Sequence, residues 1–242
     1  AMADSLGQNH YSAELAEISA SWRNAIDPAT GYMKKGGYYE GDYVHYSFRL
    51  LHRMKERIDL CGGPAQFEQM LDRFFGYGAG PIPVQQIGSE MSQRQGVSLG
   101  RFDGLNNEVM METPFAYHFV GRPDRTNEIV HGIRKYHFQP SPGGLVGNDD
   151  SGALTSWYIW NALGLFPMVG NGLFFVSLPL WDRSEITNCG FHIRKFAKSH
   201  EGGEPIYLEN VVLNGRKLDR SYVYVHEVLA GGNLEIHLAD QA

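Results

Sequence analysis

Cysteine is scarce in this sequence, and long apolar runs are absent. Cys61 and Cys189 are the only two cysteines among 242 residues, and neither has a CxxC partner. A zinc knuckle or a disulfide scaffold is therefore not indicated, while a single long-range disulfide stays open. No run reaches the ~18 apolar residues of a membrane-spanning helix. The segment from Ala1 to His10 lacks the basic start and apolar centre of a secretory signal.

An excess of basic residues is missing too. The chain carries 21 Lys and Arg against 27 Asp and Glu, which gives a net charge of −6. We therefore expect no nucleic-acid partner and no attachment to a membrane. There is no HExxH, GxSxG or Walker motif, and the glycines of Gly76–Gly80 follow a helical pattern rather than a strand. The common zinc-protease, serine-hydrolase and nucleotide sites are thus disfavoured.

The chain does show a clear change of periodicity along its length. Up to about Phe166, apolar residues recur at the spacing of amphipathic helices. Pro64 and Gly76 mark the start and the end of the clearest of these helices. The predicted helices cover Leu15–Ile26, Tyr46–Ile58, Phe67–Phe75, Glu108–Phe119, Thr126–Tyr136 and Leu154–Leu163.

After Gly170 the pattern changes to short runs rich in β-branched and aromatic residues. Asn214-Gly215 and Gly231-Gly232 separate some of these runs as turns. The predicted strands cover Leu173–Leu178, Phe191–Phe196, Ile206–Leu213, Tyr222–Val225 and Leu234–Leu238. The sequence thus predicts a mainly α fold with a small antiparallel β unit, divided into a helical portion, residues 1–168, and a β-strand portion, residues 169–242.

Three acidic clusters in predicted loops are candidates for chemistry. The first, Tyr38–Asp42, stands just before a predicted helix, where carboxylates are favourable as caps. Aromatic rings beside the carboxylate of Glu40 also suit a sugar site, because a semi-dry environment raises the pKa of a carboxyl group. Spacing alone favours the cap.

The second cluster, Asn106-Asn107-Glu108, also precedes a predicted helix. Amide and carboxylate oxygens are ligands for a hard cation such as Ca²⁺. The same residue types are common at any helix start, so the residues alone favour a structural role.

The third cluster lies in the glycine-rich loop Gly143–Gly152, which contains Asp149 and Asp150 and leads into an aromatic helix with Trp157. Adjacent aspartates beside aromatic residues fit a general base with a sugar-contacting neighbour. An Asx turn followed by a helix cap fits equally well.

Separated carboxylates on the loops of a helical array, among Tyr and Trp, are together the ingredients of a glycosidase. Such an enzyme uses one carboxylic acid to protonate the leaving oxygen and one carboxylate opposite it. A separation of about 6.5–9.5 Å predicts inversion, and about 5 Å predicts retention. Sequence spacing does not set this distance.

The stretch Gly147–Pro167 reads GNDDSGALTSWYIWNALGLFP. It resembles the family 92 glycoside hydrolases, calcium-dependent exo-α-mannosidases that carry a similar GNDDxGxxSxWYxxxALGxxP run. Further segments are similar to family motifs in the same order, namely Tyr39–Ser47, Gly62–Leu71, Asn107–Thr126, Ser177–Ile186 and Gly231–Glu235.

The resemblance implies an (α/α)₆ catalytic barrel, of which this chain is the C-terminal part, followed by β strands. It implies inverting, Ca²⁺-assisted hydrolysis of terminal α-linked mannose on bacterial or host glycans. A mannose-containing glycan is the implied substrate, and an N-terminal remainder of the same enzyme is the implied partner. The implied location is extracellular or periplasmic.

The resemblance also implies roles for single residues. By motif position, Glu40 is the general acid and Asp150 the base, with Asp149 as its neighbour or alternative. Asn107 and Glu108 are the implied Ca²⁺ ligands. The candidate substrate contacts are Tyr39, Asn148 and Trp157.

Some positions depart from the family pattern. Val109 stands where the family has proline, and Met110, Met111 and Glu112 follow where it has paired histidines. Linkage preference is therefore not transferable, and Glu112 or Asp42 is a candidate to compensate at the metal site. The main alternative is a non-catalytic carbohydrate-binding or structural remnant of such an enzyme. A helical-barrel phosphorylase or lyase acting on another sugar is a weaker one.

Overall fold

The structure, a computed structural model, describes residues 2–77, 107–145, 147, 149–168, 170–199, 202 and 204–241. Helices dominate as far as Leu163, and strands dominate after it. Among the described residues, no helix combines the length and apolar character needed to cross a membrane.

The helices mostly follow the apolar stripes of the sequence. The α-helices are α1 Met2–Ser5, α2 Asn9–Ala20, α3 Tyr43–Tyr46, α4 Met54–Leu60, α5 Pro64–Phe75, α6 Pro123–Tyr136, α7 Ala153–Leu163 and α8 Val225–Leu229. Shorter 3₁₀ segments cover Ser21–Ala25, Glu108–Met110, Thr113–Val120, Asp150–Gly152 and Thr187–Cys189.

Helix α5 confirms the sequence prediction closely. Pro64 occupies its first turn, and Gly76 ends it in the left-handed conformation, as expected from the fixed φ of proline and the freedom of glycine. The prediction of one helix over Tyr46–Ile58 is wrong. The chain leaves the helix at Ser47, whose hydroxyl donates to the carbonyl of Tyr43 (2.5 Å), and resumes helical geometry only at Met54.

The strands form two sheets. They are β1 Leu165–Met168, β2 Leu173–Val176, β3 Arg183–Ile186, β4 Phe191–Lys198, β5 Tyr207–Leu213, β6 Arg216–Lys217, β7 Tyr222–Tyr224 and β8 Gly232–Ala239. One sheet has the order β1-β2-β7 and is antiparallel. The other has the order β3-β4-β8-β5-β6, and its central pair β4 and β8 is parallel.

The predicted fold class therefore needs correction. The parallel pair makes the larger sheet mixed, so the expected purely antiparallel unit is wrong. Helices account for 44% of the described residues, which is less than the predicted mainly α fold implies. The described helices do not establish a closed (α/α)₆ barrel.

Two apolar clusters form the core. The first gathers helical side chains such as Phe67, Phe115 and Trp157 and extends into the small sheet through Phe175. The second fills the larger sheet and includes Leu165 and Ile236. The loops that carry the acidic clusters leave from the first of these cores.

Candidate active site

Three carboxylates from distant loops converge at one point. Glu40, Glu108 and Asp150 each place a carboxylate oxygen within 4.8 Å of the oxygens of the other two. Glu40 and Glu108 are half-buried, and Asp150 is exposed. One residue from each of the three acidic clusters thus contributes to a single site.

The segment that carries Glu40 is held by local hydrogen bonds. The Tyr46 hydroxyl donates to the carbonyl of Tyr39 (2.5 Å). Asp42 accepts from the backbone N–H of Val44 (2.8 Å) and caps α3 in a capping box with His45. Burial opposes ionisation of Asp42, but these hydrogen bonds lower its pKa below the ordinary value. The cap expected at this cluster is therefore Asp42, and Glu40 is left to face the other carboxylates.

The neighbouring aspartates of the third cluster divide in the same way. Asp149 accepts from the backbone N–H of Thr155 (2.9 Å) and from its hydroxyl (2.8 Å). These two hydrogen bonds lower the pKa of Asp149. Asp149 therefore stabilises the start of α7, while Asp150 reaches the carboxylate cluster.

Backbone strain is present in the loops that carry Glu40 and Asp150. Glu40 (φ 59°), Ser151 (φ 55°) and Asn214 (φ 50°) are the non-glycine residues with positive φ in the described part of the chain. Asn214 belongs to an Asn-Gly turn, which favours this conformation. Glu40 and Ser151 have no such reason, and each such residue costs about 1–3 kcal/mol unless its surroundings hold it in place. Strain thus coincides with the carboxylate cluster.

Beside this cluster lie buried oxygen atoms without a partner. Within the described residues, Asn107 Oδ1 and Glu108 Oε1 are buried and accept no hydrogen bond. An unsatisfied buried oxygen costs about 1–3 kcal/mol, and carboxylates about 5 Å apart repel by roughly 1–4 kcal/mol per pair. A hard cation removes both costs, because it is bound by carboxylate and amide oxygens. The donor set therefore fits Ca²⁺.

The spacing of the carboxylates fits ligands that share one cation. One oxygen of each lies within 4.8 Å of an oxygen of the other two, so a single cation can contact all three. The separation of whole carboxyl groups, which distinguishes inversion from retention, is a different distance.

The candidate substrate contacts are placed differently from one another. The ring of Tyr39 is 80% exposed, next to Glu40. Trp157 has no exposed surface, and its indole N–H donates to the carbonyl of Met111 (2.8 Å). Its ring is therefore packed in the core, and we assign it no sugar contact. Asn148 lies outside the described residues.

Sequence reasoning missed one side chain next to the site. Arg49 forms an ion pair with Glu112 and so connects the chain after α3 to the segment after Glu108. Burial raises the pKa of Glu112, and Arg49 opposes this effect. In the sequence, Glu112 stands out as a glutamate within a run of apolar residues. Nothing in the local sequence indicates a role for Arg49.

An array of helices and loops that delivers acidic side chains to one point is the arrangement of a carboxylate-based glycoside hydrolase. The model of the glycosyl hydrolase family 92 catalytic domain matches residues 1–240. The chain belongs to this family.

Known proteins resemble this chain in sequence and in fold. A secreted glycosidase of Arthroderma benhamiae is 26% identical over 209 residues, which cover 84% of this chain and 24% of that protein. The α-mannosidase BT3965 of Bacteroides thetaiotaomicron has a TM-score of 0.76 at 20% identity, over 99% of this chain and 33% of its own. The inverting mannosidase BT2199 of the same species has a TM-score of 0.80 at 19% identity, over 99% and 35%.

The two solved structures show that the fold is shared. The chain spans about a quarter of the curated relative and about a third of the solved ones.

Proposed function

We propose that this chain takes part in the hydrolysis of terminal α-linked mannose from glycans, by an inverting mechanism assisted by Ca²⁺. The observation that carries this proposal is the convergence of Glu40, Glu108 and Asp150 within 4.8 Å. Membership of family 92 and the two mannosidases of the same fold support mannose as the sugar. The relative described as an inverting mannosidase supports inversion.

The residues divide into an acid, a base and metal ligands. Glu40 protonates the oxygen of the leaving group, and Asp150 removes a proton from the attacking water. Asp149 holds the start of α7 and so fixes the loop of Asp150. Asn107 and Glu108, whose buried oxygens have no hydrogen-bond partner, would hold Ca²⁺. The bound cation supplies positive charge that binds sugar hydroxyl groups.

Exposed groups near Glu40 fit a sugar ring. The Tyr39 ring stands free at the site and offers an aromatic face to a pyranose. We propose that part of the pocket is contributed by further chain, because the relatives are about three times as long as the matched region. A relative described as secreted supports an exported location.

Replacement of the two reacting carboxylates tests the assignment. Glu40→Gln and Asp150→Asn remove the acid and the base with little change in shape, so kcat for a terminal α-mannoside falls by about 10²–10⁴-fold. Circular dichroism and thermal unfolding check that both variants fold. Glu17→Gln, which changes an exposed carboxylate on α2, is the matched control and keeps full activity.

Two outcomes contradict this proposal. Near-normal turnover in either variant removes that residue from the mechanism. Mannoside binding without hydrolysis by the folded full-length protein, with the further chain that completes the pocket, supports the carbohydrate-binding alternative instead.

A further inference from the structure

A buried arginine contacts both ends of the segment that carries Glu40. Arg57 on α4 is only 1% exposed. Its Nη2 donates to the carbonyl of Gly31 (2.8 Å) and to the carbonyl of Ser47 (2.9 Å). These two carbonyls lie before and after Glu40 in the chain, so one nitrogen atom fixes the distance between the ends of the segment 31–47.

Other contacts make these ends rigid. The backbone N–H of Met33 donates to the Ser47 hydroxyl oxygen (2.8 Å), and that hydroxyl donates to the carbonyl of Tyr43 (2.5 Å). The segment thus closes on itself at the point where Arg57 anchors it to α4. Its middle carries Glu40 in the left-handed conformation (φ 59°), which persists only where the surroundings hold it.

Among the described residues, the remaining contacts of Arg57 are a thiol and an aromatic ring rather than carboxylates. Its Nη1 donates to the Cys61 thiol, and its guanidinium carbon lies 5.8 Å from the centre of the Phe67 ring. Burial lowers the pKa of Arg57. A buried cation is costly unless it makes strong hydrogen bonds, so the hydrogen bonds of Nη2 to the two loop carbonyls are the feature that explains this residue.

We propose that Arg57 is a positioning residue that holds Glu40 at the leaving-group oxygen by fixing both ends of the segment 31–47. The inference rests on the proposed function in taking Glu40 as the acid. A lysine at this position has one donor nitrogen instead of two, so it does not keep the bonds to both carbonyls and to the Cys61 thiol together. Arg57→Lys therefore keeps the charge but loosens the segment.

Two substrates with different leaving groups distinguish a positioning role of Arg57 from general destabilisation of the protein. Methyl α-mannoside needs a proton on its leaving oxygen, whereas 2,4-dinitrophenyl α-mannoside has a leaving group that departs without one. In Arg57→Lys we expect kcat for the methyl mannoside to fall about tenfold to hundredfold, as for a small misplacement of a catalytic group. For the dinitrophenyl mannoside we expect less than a threefold change, with KM nearly unchanged for both.

Arg134 offers a matched control. It is part-buried on α6, and its Nη1 donates to the carbonyls of Asn161 (2.9 Å) and Leu178 (2.6 Å). Arg134→Lys thus disturbs a comparable pair of hydrogen bonds away from Glu40. This variant should lower the midpoint of thermal unfolding and should change kcat for the two mannosides by the same factor.

Amide hydrogen exchange tests the same idea without any activity. In Arg57→Lys, exchange should accelerate at least tenfold in peptides covering residues 36–46 and stay unchanged around Asp150. If the lysine variant does not fold, Arg57→Gln, which carries no charge and keeps two N–H donors, takes its place.

The results distinguish the two proposals. If the full-length wild-type protein hydrolyses neither mannoside, the proposed function fails, and hydrogen exchange still decides the role of Arg57 in holding the segment. Unchanged exchange over residues 36–46, or an equal loss of kcat on both mannosides, overturns the positioning role.

Discussion

At the scale of single residues, adjacent acidic side chains perform different tasks. Asp42 and Asp149 accept hydrogen bonds from backbone N–H groups that follow them, whereas Glu40 and Asp150 face the carboxylate cluster. The sequence leaves two interpretations open for each cluster, cap and catalytic group. The caps are Asp42 and Asp149, and a catalytic role for Glu40 and Asp150 stays a prediction. Local sequence predicts that a cap exists and does not say which carboxylate provides it.

The hydroxyl of Thr155 provides a test of this division. Thr155→Val removes one of the two hydrogen bonds that lower the pKa of Asp149, so this pKa should rise toward its ordinary value near 3.9. Because the pKa of Asp149 is depressed in the folded protein, its contribution to stability is present above the unfolded-state pKa. It is lost as pH falls through the folded-state pKa.

Thr155→Val should therefore destabilise the protein more at pH 6 than at pH 3. An NMR titration of the Asp149 carboxyl group and urea unfolding at both pH values measure the two quantities. Thr30→Val, which removes a similar hydrogen bond to Asp27 away from the site, should leave the pKa of Asp149 unchanged. A Thr155→Val effect that is equal at both pH values contradicts this account.

At the scale of elements, the end of α7 determines how the helices meet the larger sheet. Gly164 ends α7 with φ +82°, and a Cβ there would lie 2.9 Å from Pro179 Cγ and 3.1 Å from Ile236 Cδ1. Ile236 belongs to β8. Glycine is common just after the last residue of a helix, but the close approach of the strand depends on contacts distant in sequence.

Gly164→Ala measures this close approach. Gly121 ends the 3₁₀ segment Thr113–Val120 with a similar φ of +74°, and a Cβ there meets no atom within 4 Å. Gly121→Ala should cost about 1–2 kcal/mol for the left-handed conformation alone. Gly164→Ala should cost about 1–3 kcal/mol more because of overpacking. Chemical denaturation measures the free energy of unfolding of both variants. Equal costs would show that β8 shifts away from the added methyl group without a penalty.

The elements that the sequence did not predict share a physical cause. Strands β1 and β3 have short or mixed patterns, and their pairing with β2 and β4 defines them. The break between α3 and α4 follows from the hydrogen bonds of Ser47. Periodicity predicts elements that carry their own apolar stripe, such as α5, and misses those defined by tertiary contacts.

At the scale of the whole molecule, three loops from separate parts of the chain build one cluster. The order of family motifs predicted that Glu40, Glu108 and Asp150 belong together, and the fold places them within 4.8 Å. This spacing suits oxygen ligands that share one cation. The roles of these three residues in binding and catalysis remain predictions.

Helix α2 exposes apolar side chains on one face. Leu15 and Ile18 are 56% and 60% exposed, although they form the stripe from which the helix was predicted. Amphipathic helices bury such a face, and the relatives have about twice as much additional chain as the matched region. We propose that further chain covers this face.

Calcium titration tests the central claim most directly, because it asks whether the three carboxylates form one site. By calorimetry, the wild-type chain should bind one Ca²⁺ per molecule. Glu108→Gln should weaken this binding by at least about tenfold through loss of a charged ligand, and Glu17→Gln should leave it unchanged. Absence of Ca²⁺ binding to the folded protein, or binding that is insensitive to Glu108→Gln, would contradict the account.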